Sequence, residues 1–185
     1  FVIVHLDTGE LFMARDRFGQ KPLFYTKSQN RLAFASGPKS LTCLDWVSKD
    51  LNYQALHHYF DFSAIPSPYS IYRDIYKLPA GHCARWKNGQ LKTRSYWEYK
   101  NQDNFKGSFE EAQTKLHHLL KHSVSRRLVA DVPVACFLSG GVDSSVIAAL
   151  GREERKNLMT FSVAFEEEDF DERKYARMVA DHLGT

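Results

Sequence analysis

Val132-Pro133-Val134-Ala135-Cys136-Phe137-Leu138, followed by Ser139-Gly140-Gly141-Val142-Asp143-Ser144-Ser145, is the stretch on which the fold turns. An unbroken apolar run of strand length reads as a strand buried on both faces. A glycine loop follows it, and the spacing then predicts a helix over Ser144–Arg155. A second apolar strand is expected at Met159–Phe165 and a second helix at about 171–183, with Tyr175, Met178, Val179 and Leu183 on its inner face. Strand, glycine loop, helix and strand make a βαβ unit, and therefore the start of a parallel, helix-covered sheet.

The loop itself has the composition of an anion cradle. The first turn of a helix presents amides without intrahelical acceptors, at the positive end of the helix dipole. Adjacent glycines let the main chain approach a bound oxyanion with no Cβ in the way. Ser139, Ser144 and Ser145 add hydroxyl donors. Asp143 would repel bare phosphate, so its presence calls for a bridging cation. Mg²⁺, which binds through one or two carboxylates together with substrate phosphates, fits that need. Two other phosphate loops are excluded by letter. No lysine stands beside the second glycine as G-x-x-x-x-G-K-[ST] requires, and the adjacency of Gly140 and Gly141 breaks G-x-G-x-x-G.

Upstream of this unit, Ser108-Phe109-Glu110-Glu111 is a capping box. It opens a predicted helix over 109–129 with Phe109, Ala112, Leu116, Leu119 and Leu120 at helical spacing. Before it, Asn101-Gln102-Asp103-Asn104 is a polar stretch read as part of a linker over 99–106. Residues 1–98 have a different texture. A β meander is expected over 1–36, with strands at Phe1–Leu6, Leu11–Arg15, Pro22–Lys27 and Arg31–Ser36 and a charged loop at Asp16–Lys21. Short helices are expected near Pro38–Leu44 and Asn52–Phe60. A hairpin at His82–Lys87 and Gln90–Tyr96 turns on Asn88-Gly89, a strong short-range hairpin signal.

Composition narrows the classes. With 185 residues, 43% hydrophobic and 25% charged, the chain is too apolar to be disordered. A formal charge of +3 spread along its length marks no dedicated nucleic-acid binder. No apolar run approaches the ~18 residues of a membrane helix, and no leader-like segment opens the chain. Cys43, Cys83 and Cys136 are sparse and unpaired in spacing, which suits a reducing compartment. Position 1 is Phe, and both ends run straight into structure, so a piece of a longer chain is expected.

Ser139–Ser145 resembles the pyrophosphate-binding loop of the ATP pyrophosphatase group. Asp131-Val132-Pro133-Val134, Phe161-Ser162-Val163, Ala14-Arg15-Asp16-Arg17-Phe18-Gly19-Gln20-Lys21-Pro22-Leu23 and Leu78-Pro79-Ala80-Gly81-His82 narrow the resemblance to glutamine-hydrolysing asparagine synthetases. That resemblance implies an α+β and α/β chain. Residues 1–98 would be the C-terminal part of an N-terminal-nucleophile glutaminase sandwich. Residues 107–185 would begin a parallel-sheet adenine-nucleotide-binding domain. It implies adenylation of aspartate by ATP with release of pyrophosphate, then displacement of AMP by ammonia from glutamine. Ser139, Gly140, Gly141, Asp143, Ser144 and Ser145 would hold the pyrophosphate and its Mg²⁺, with Leu138 and Val163 flanking the adenosine.

No catalytic residue is expected within these residues, because the family's cysteine nucleophile would precede Phe1 and its catalytic lysine would follow Thr185. Small-molecule substrates, a cytoplasmic setting and a homodimer of the complete protein are the further expectations. Nucleic-acid and membrane partners are not expected, and the piece alone should be inactive. Gly37, where the family usually has Glu, and Ala135, where Gly is usual, depart from its pattern. A β-lactam synthetase, adenylating another acid on the same scaffold, is the alternative; a non-enzymatic scaffold accords poorly with Asp143 in the loop.

Other residues read more plainly. His118 and His122 stand one helical turn apart but lack the Glu of H-E-x-x-H and a third ligand, so a solvated helix face is expected. Lys115, Lys121, Arg126 and Arg127 read as a solvated basic stripe. Arg15, Asp16 and Arg17 read as an ion-paired loop, and Glu166-Glu167-Glu168-Asp169 as a polar lead into a helix.

Overall fold

A computed structural model describes residues 1–100, 105–167 and 171–185. The chain divides into two compact units, residues 1–102 and 103–185. The central residues of the expected linker (101–104) and two of the acidic run (168 and 169) lie outside the described residues.

The first unit is built on two antiparallel sheets. Strands β1 (Val2–His5), β2 (Glu10–Ala14), β6 (His82–Lys87) and β7 (Gln90–Ser95) lie side by side in the order β1-β2-β6-β7. Strands β3 (Phe24–Ser28), β4 (Arg31–Ala35) and the two-residue β5 (Tyr76–Lys77) form the second sheet, in the order β4-β3-β5. Side chains alternate across a strand, and that alternation makes two cores. Leu11 and Met13 of β2 and Ala84 and Trp86 of β6 meet Leu23, Leu78, Tyr25 and Leu32 from the second sheet's side. Phe24, one residue from Tyr25, faces the other way and packs with Leu41, Val47 and Ile75. The short helix α1 (Pro38–Leu41) supplies Leu41. Helix α2 (Tyr53–Phe62) is capped by Asn52, whose side chain accepts from the Ala55 amide at 3.1 Å. The Asn88-Gly89 turn has positive φ at both residues (51° and 75°), as a two-residue hairpin of the primed type demands.

The expected meander is split. β2 pairs with β6, and the Arg15–Leu23 segment carries the chain across to the other sheet. Strand patterning fixes which residues face inward but not which strand is the neighbour. The β5 pairing with β3 joins residues far apart in sequence and left no local signal.

The second unit contains α3 (Phe109–Arg127), β8 (Ala135–Phe137), α4 (Val142–Glu154), β9 (Met159–Phe161) and α5 (Arg173–Leu183). β8 and β9 pair in parallel, with Ala135, Cys136 and Phe137 opposite Met159, Thr160 and Phe161. The Ser108 capping box is present in both directions. Ser108 Oγ accepts from the Glu111 amide at 3.2 Å, and the Ser108 amide donates to Glu111 Oε2 at 2.8 Å. One cluster joins Val124 and Leu128 to Leu150 and Leu158; another joins Leu138, Ala148, Ala176 and Ala180.

Three expectations change here. The strands are shorter than the apolar runs that announced them. The sheet is covered on one side only among the described residues: Leu138 is 2% exposed, Phe137 82%. The inner faces of the helices also differ. Phe109, Leu116 and Leu119 of α3 and Tyr175 and Met178 of α5 are exposed, while Val124, Ala176 and Ala180 are buried. Periodicity weighted the bulky side chains, whereas close approach of helix to strand selected the alanines, whose small size permits it.

Candidate anion-binding site

The Ser139–Ser145 loop joins the carboxyl end of β8 to the amino end of α4, with Gly141 as the helix N-cap. That is where ligands sit in open parallel sheets. Leu138 anchors it from below. Its amide donates to the Phe161 carbonyl at 2.8 Å, and its carbonyl accepts from Ser162 Oγ at 2.6 Å. Gly140 has φ +85°, and a Cβ there would lie 2.5 Å from the Tyr175 carbonyl carbon and 2.6 Å from the Ala176 nitrogen. A side chain is therefore excluded twice at this position, by conformation and by the backbone of α5. Gly141 is different, since a Cβ there would meet only Ser139 Oγ, at 3.5 Å.

The hydroxyls form a closed set. Ser144 Oγ donates to the Gly141 carbonyl at 3.0 Å and Ser145 Oγ to the same carbonyl at 2.7 Å. A serine has one proton to give, so Ser139 Oγ is the donor in its 3.0 Å contact with Ser144 Oγ. The Gly141 amide reaches Ser139 Oγ at 3.4 Å. The first intrahelical bond of α4 is Ser145 N–H to the Gly141 carbonyl, at 3.0 Å. The amides of Val142, Asp143 and Ser144 precede it and have no acceptor among the described residues. Three outward-facing amides and two redirectable hydroxyl protons are what an oxyanion requires.

Asp143 is exposed in the first turn of α4 and makes no ion pair among the described residues. Among those residues no group of three His, Cys, Asp or Glu side chains could hold a metal ion alone. A cation at Asp143 would therefore be completed by the ligand's own oxygens and water, a coordination suited to Mg²⁺. Val163 is exposed, two residues past the end of β9 and at the same carboxyl end of the sheet as Leu138. Hydrogen bonds thus gather Ser139, Gly141, Ser144 and Ser145 into one structure, whereas Leu138 is tied to Phe161 and Ser162 and Val163 has no hydrogen bond to the loop among the described residues. The support that α5 gives to Gly140 was missed, because nothing near Gly140 in sequence announces Tyr175 or Ala176.

The remaining candidates do not assemble into sites. His118 and His122 are stacked, 6.3 Å between centroids, and no third ligand joins them among the described residues. Burial pushes the Cys136 thiol up, away from nucleophilic character. Lys121 of the basic stripe bridges to Glu153 at 2.9 Å.

The charged loop at 15–21 makes no ion pair among the described residues. The Arg15 guanidinium donates to the carbonyls of Gly19 (2.7 Å), Leu78 (2.9 Å) and Lys21 (3.0 Å) and to Ser67 Oγ (3.3 Å). The Asp16 carboxylate accepts from the amides of Lys21, Gln20 and Phe18, which in that order hold its pKa below the usual range. The charges of Arg15 and Asp16 are spent mainly on backbone, fixing the crossing between the two sheets.

Comparison with known proteins matches residues 1–97 to a glutamine amidotransferase domain and residues 115–185 to asparagine synthase. A Methanocaldococcus jannaschii protein provisionally named asparagine synthetase 2 (glutamine-hydrolysing) is 36% identical over 100% of this chain and 37% of its own length. Asparagine synthetase 1 (glutamine-hydrolysing) of Bacillus subtilis is 34% identical over 100% of this chain and 29% of its own. A Gibberella zeae protein named amidase chry2 is 31% identical over 100% of this chain and 30% of its own. The chain therefore spans about a third of the length of these curated relatives.

Proposed function

The chain belongs to the family of glutamine-hydrolysing asparagine synthetases, and on that premise we propose that it is part of an ATP- and glutamine-dependent ligase that converts aspartate to asparagine. Residues 1–98 are assigned to the glutaminase half, an N-terminal-nucleophile sandwich. Residues 107–185 are assigned to the opening of the ATP-binding half, of the ATP pyrophosphatase type, with a linker over 99–106. The observation that carries the reading is the loop after β8: amides without an acceptor, redirectable serine protons and one carboxylate that has no ion pair among the described residues, at the amino end of a helix.

A carboxylate oxygen of aspartate attacks the α-phosphorus of ATP, the bond to the bridging oxygen breaks, and pyrophosphate leaves with the electron pair. Negative charge grows on the departing group as that bond lengthens. Donors fixed in advance at that position lower the barrier without reorganising. The amides of Val142, Asp143 and Ser144 supply such donors. Ser144 turns its proton from the Gly141 carbonyl, and Ser139 its proton from Ser144, towards phosphate oxygens. Ser145 keeps the Gly141 carbonyl in place. Asp143, with the phosphates, is assigned as the holder of Mg²⁺, which when bound neutralises pyrophosphate charge. Leu138 and Val163 are assigned to the adenosine. Ammonia from glutamine then displaces AMP from the β-aspartyl-adenylate, giving asparagine. The complete protein is taken to be a cytoplasmic homodimer. Among the described residues no helix is long and apolar enough to cross a membrane.

Exchange of labelled pyrophosphate into ATP, measured on the full product of the gene, tests this reading. Exchange that depends on aspartate is expected. Exchange that ignores aspartate and follows a larger carboxylic acid would move the assignment to a β-lactam-synthetase-like reaction.

A further inference from the structure

The two glycines of the loop have different neighbours, and that difference points to α5. Gly141 borders open space and its own serine. Gly140 is pressed against the backbone of Tyr175 and Ala176, so tightly that no Cβ fits. Ala176 is buried at 3% exposure and belongs to the same cluster as Leu138, which enters the loop, and Ala148, in the helix that leaves it. The loop is thus held from three directions, by β8, by α4 and by α5. The amide of Ala176 is spent inside its own helix, on the Glu172 carbonyl at 3.0 Å, so it gives no donor to the loop. Its contribution is steric.

We propose that Ala176 is a positioning residue for the anion-binding loop: its small side chain lets α5 close on Gly140 and thereby sets the direction of the Gly141–Ser144 amides. This rests on the phosphate-binding reading above. A bulkier residue at 176 separates α5 from Leu138 and Ala148 and releases Gly140. A glycine there leaves Leu138 loosely seated. Ala180, one turn along, belongs to the same cluster but is not among the atoms nearest Gly140. It provides a matched control for packing alone.

The test is a titration of the full product of the gene with inorganic pyrophosphate and Mg²⁺, followed by isothermal calorimetry as a dissociation constant. The pairs Ala176→Val with Ala180→Val and Ala176→Gly with Ala180→Gly are compared at equal loss of thermal stability. Ala176→Ser tests tolerance of a small side chain. Both changes at 176 to Val or Gly are expected to weaken pyrophosphate binding at least about tenfold, because a small misplacement of preorganised donors is costly. Both changes at 180 and Ala176→Ser should leave the affinity within about a factor of two, because Ala180 is not among the atoms nearest Gly140 and serine is close to alanine in size. Equal weakening by the 176 and 180 variants, in the glycine pair if the valine variants do not fold, would overturn the positioning role while leaving the site intact. No binding of pyrophosphate and Mg²⁺ by the unsubstituted full-length protein would overturn the phosphate-binding reading itself.

Discussion

Ser139 and Ser145 flank the start of α4, and their hydrogen bonds give them different tasks. Ser145 Oγ is committed to the Gly141 carbonyl, whereas Ser139 gives its proton only to another hydroxyl. Ser139→Ala is therefore expected to reduce pyrophosphate affinity more than Ser145→Ala, measured by the same titration; the reverse order would contradict the proton assignment. Glu10 shows the charge logic in the first unit. Lys87, the stronger influence, and Arg85 hold its carboxyl down to about 2. A carboxyl whose pKa is lower folded than unfolded adds stability above the unfolded pKa and loses it as pH falls through the folded one. Melting curves should thus show the unsubstituted chain more stable than Glu10→Gln at pH 6, the gap closing between the ordinary carboxylate range and about pH 2. A gap that does not vary with pH would refute the pairing. The serines, glycines and aspartate were legible because each is named by its own chemistry. The closed hydroxyl set was not, since proton direction depends on distances that letters do not carry. Arg15 and Asp16 misled for the same reason: opposite charges suggested a pair, and carbonyls and amides took both.

Elements were read best where a local rule fixes them. Ser108 with Glu111 and Asn88 with Gly89 each encode a boundary within a few residues, and both boundaries are in place. Replacing Ser108 by Ala is expected to cost about 1 kcal/mol through loss of the cap. The corresponding fall in the melting temperature of the second unit is roughly 4–8 °C; no change on thermal denaturation would show that the cap is redundant. Elements were read less well where burial decides. Phe137, Tyr175 and Met178 are apolar at the expected spacing and still lie exposed, because α5 approaches through Ala176 and Ala180. The Val132–Leu138 run produced a three-residue strand for a related reason. Only Ala135–Phe137 finds a parallel partner in β9, and strand length follows the partner as much as the run itself.

At the scale of the whole molecule, the change of texture near residue 100 was visible as a shift from period-two to helical patterning, and the chain divides at 102/103. The partition of strands between the two sheets of the first unit was not visible, because β2 with β6 and β3 with β5 are long-range pairs. Phe137, Met159 and Phe161 expose an apolar sheet face, while the serine hydroxyls of the loop at the carboxyl end of that sheet bond within the loop itself. The proposed binding geometry is therefore local to the loop and its three supports. Aspartate-dependent pyrophosphate exchange into ATP by the full gene product, compared with its Asp143→Asn variant, tests this most directly. The account predicts exchange in the former and a drop of about 100-fold or more in the latter, the scale of losing one preorganised transition-state contact; exchange that persists undiminished without the Asp143 carboxylate would contradict it.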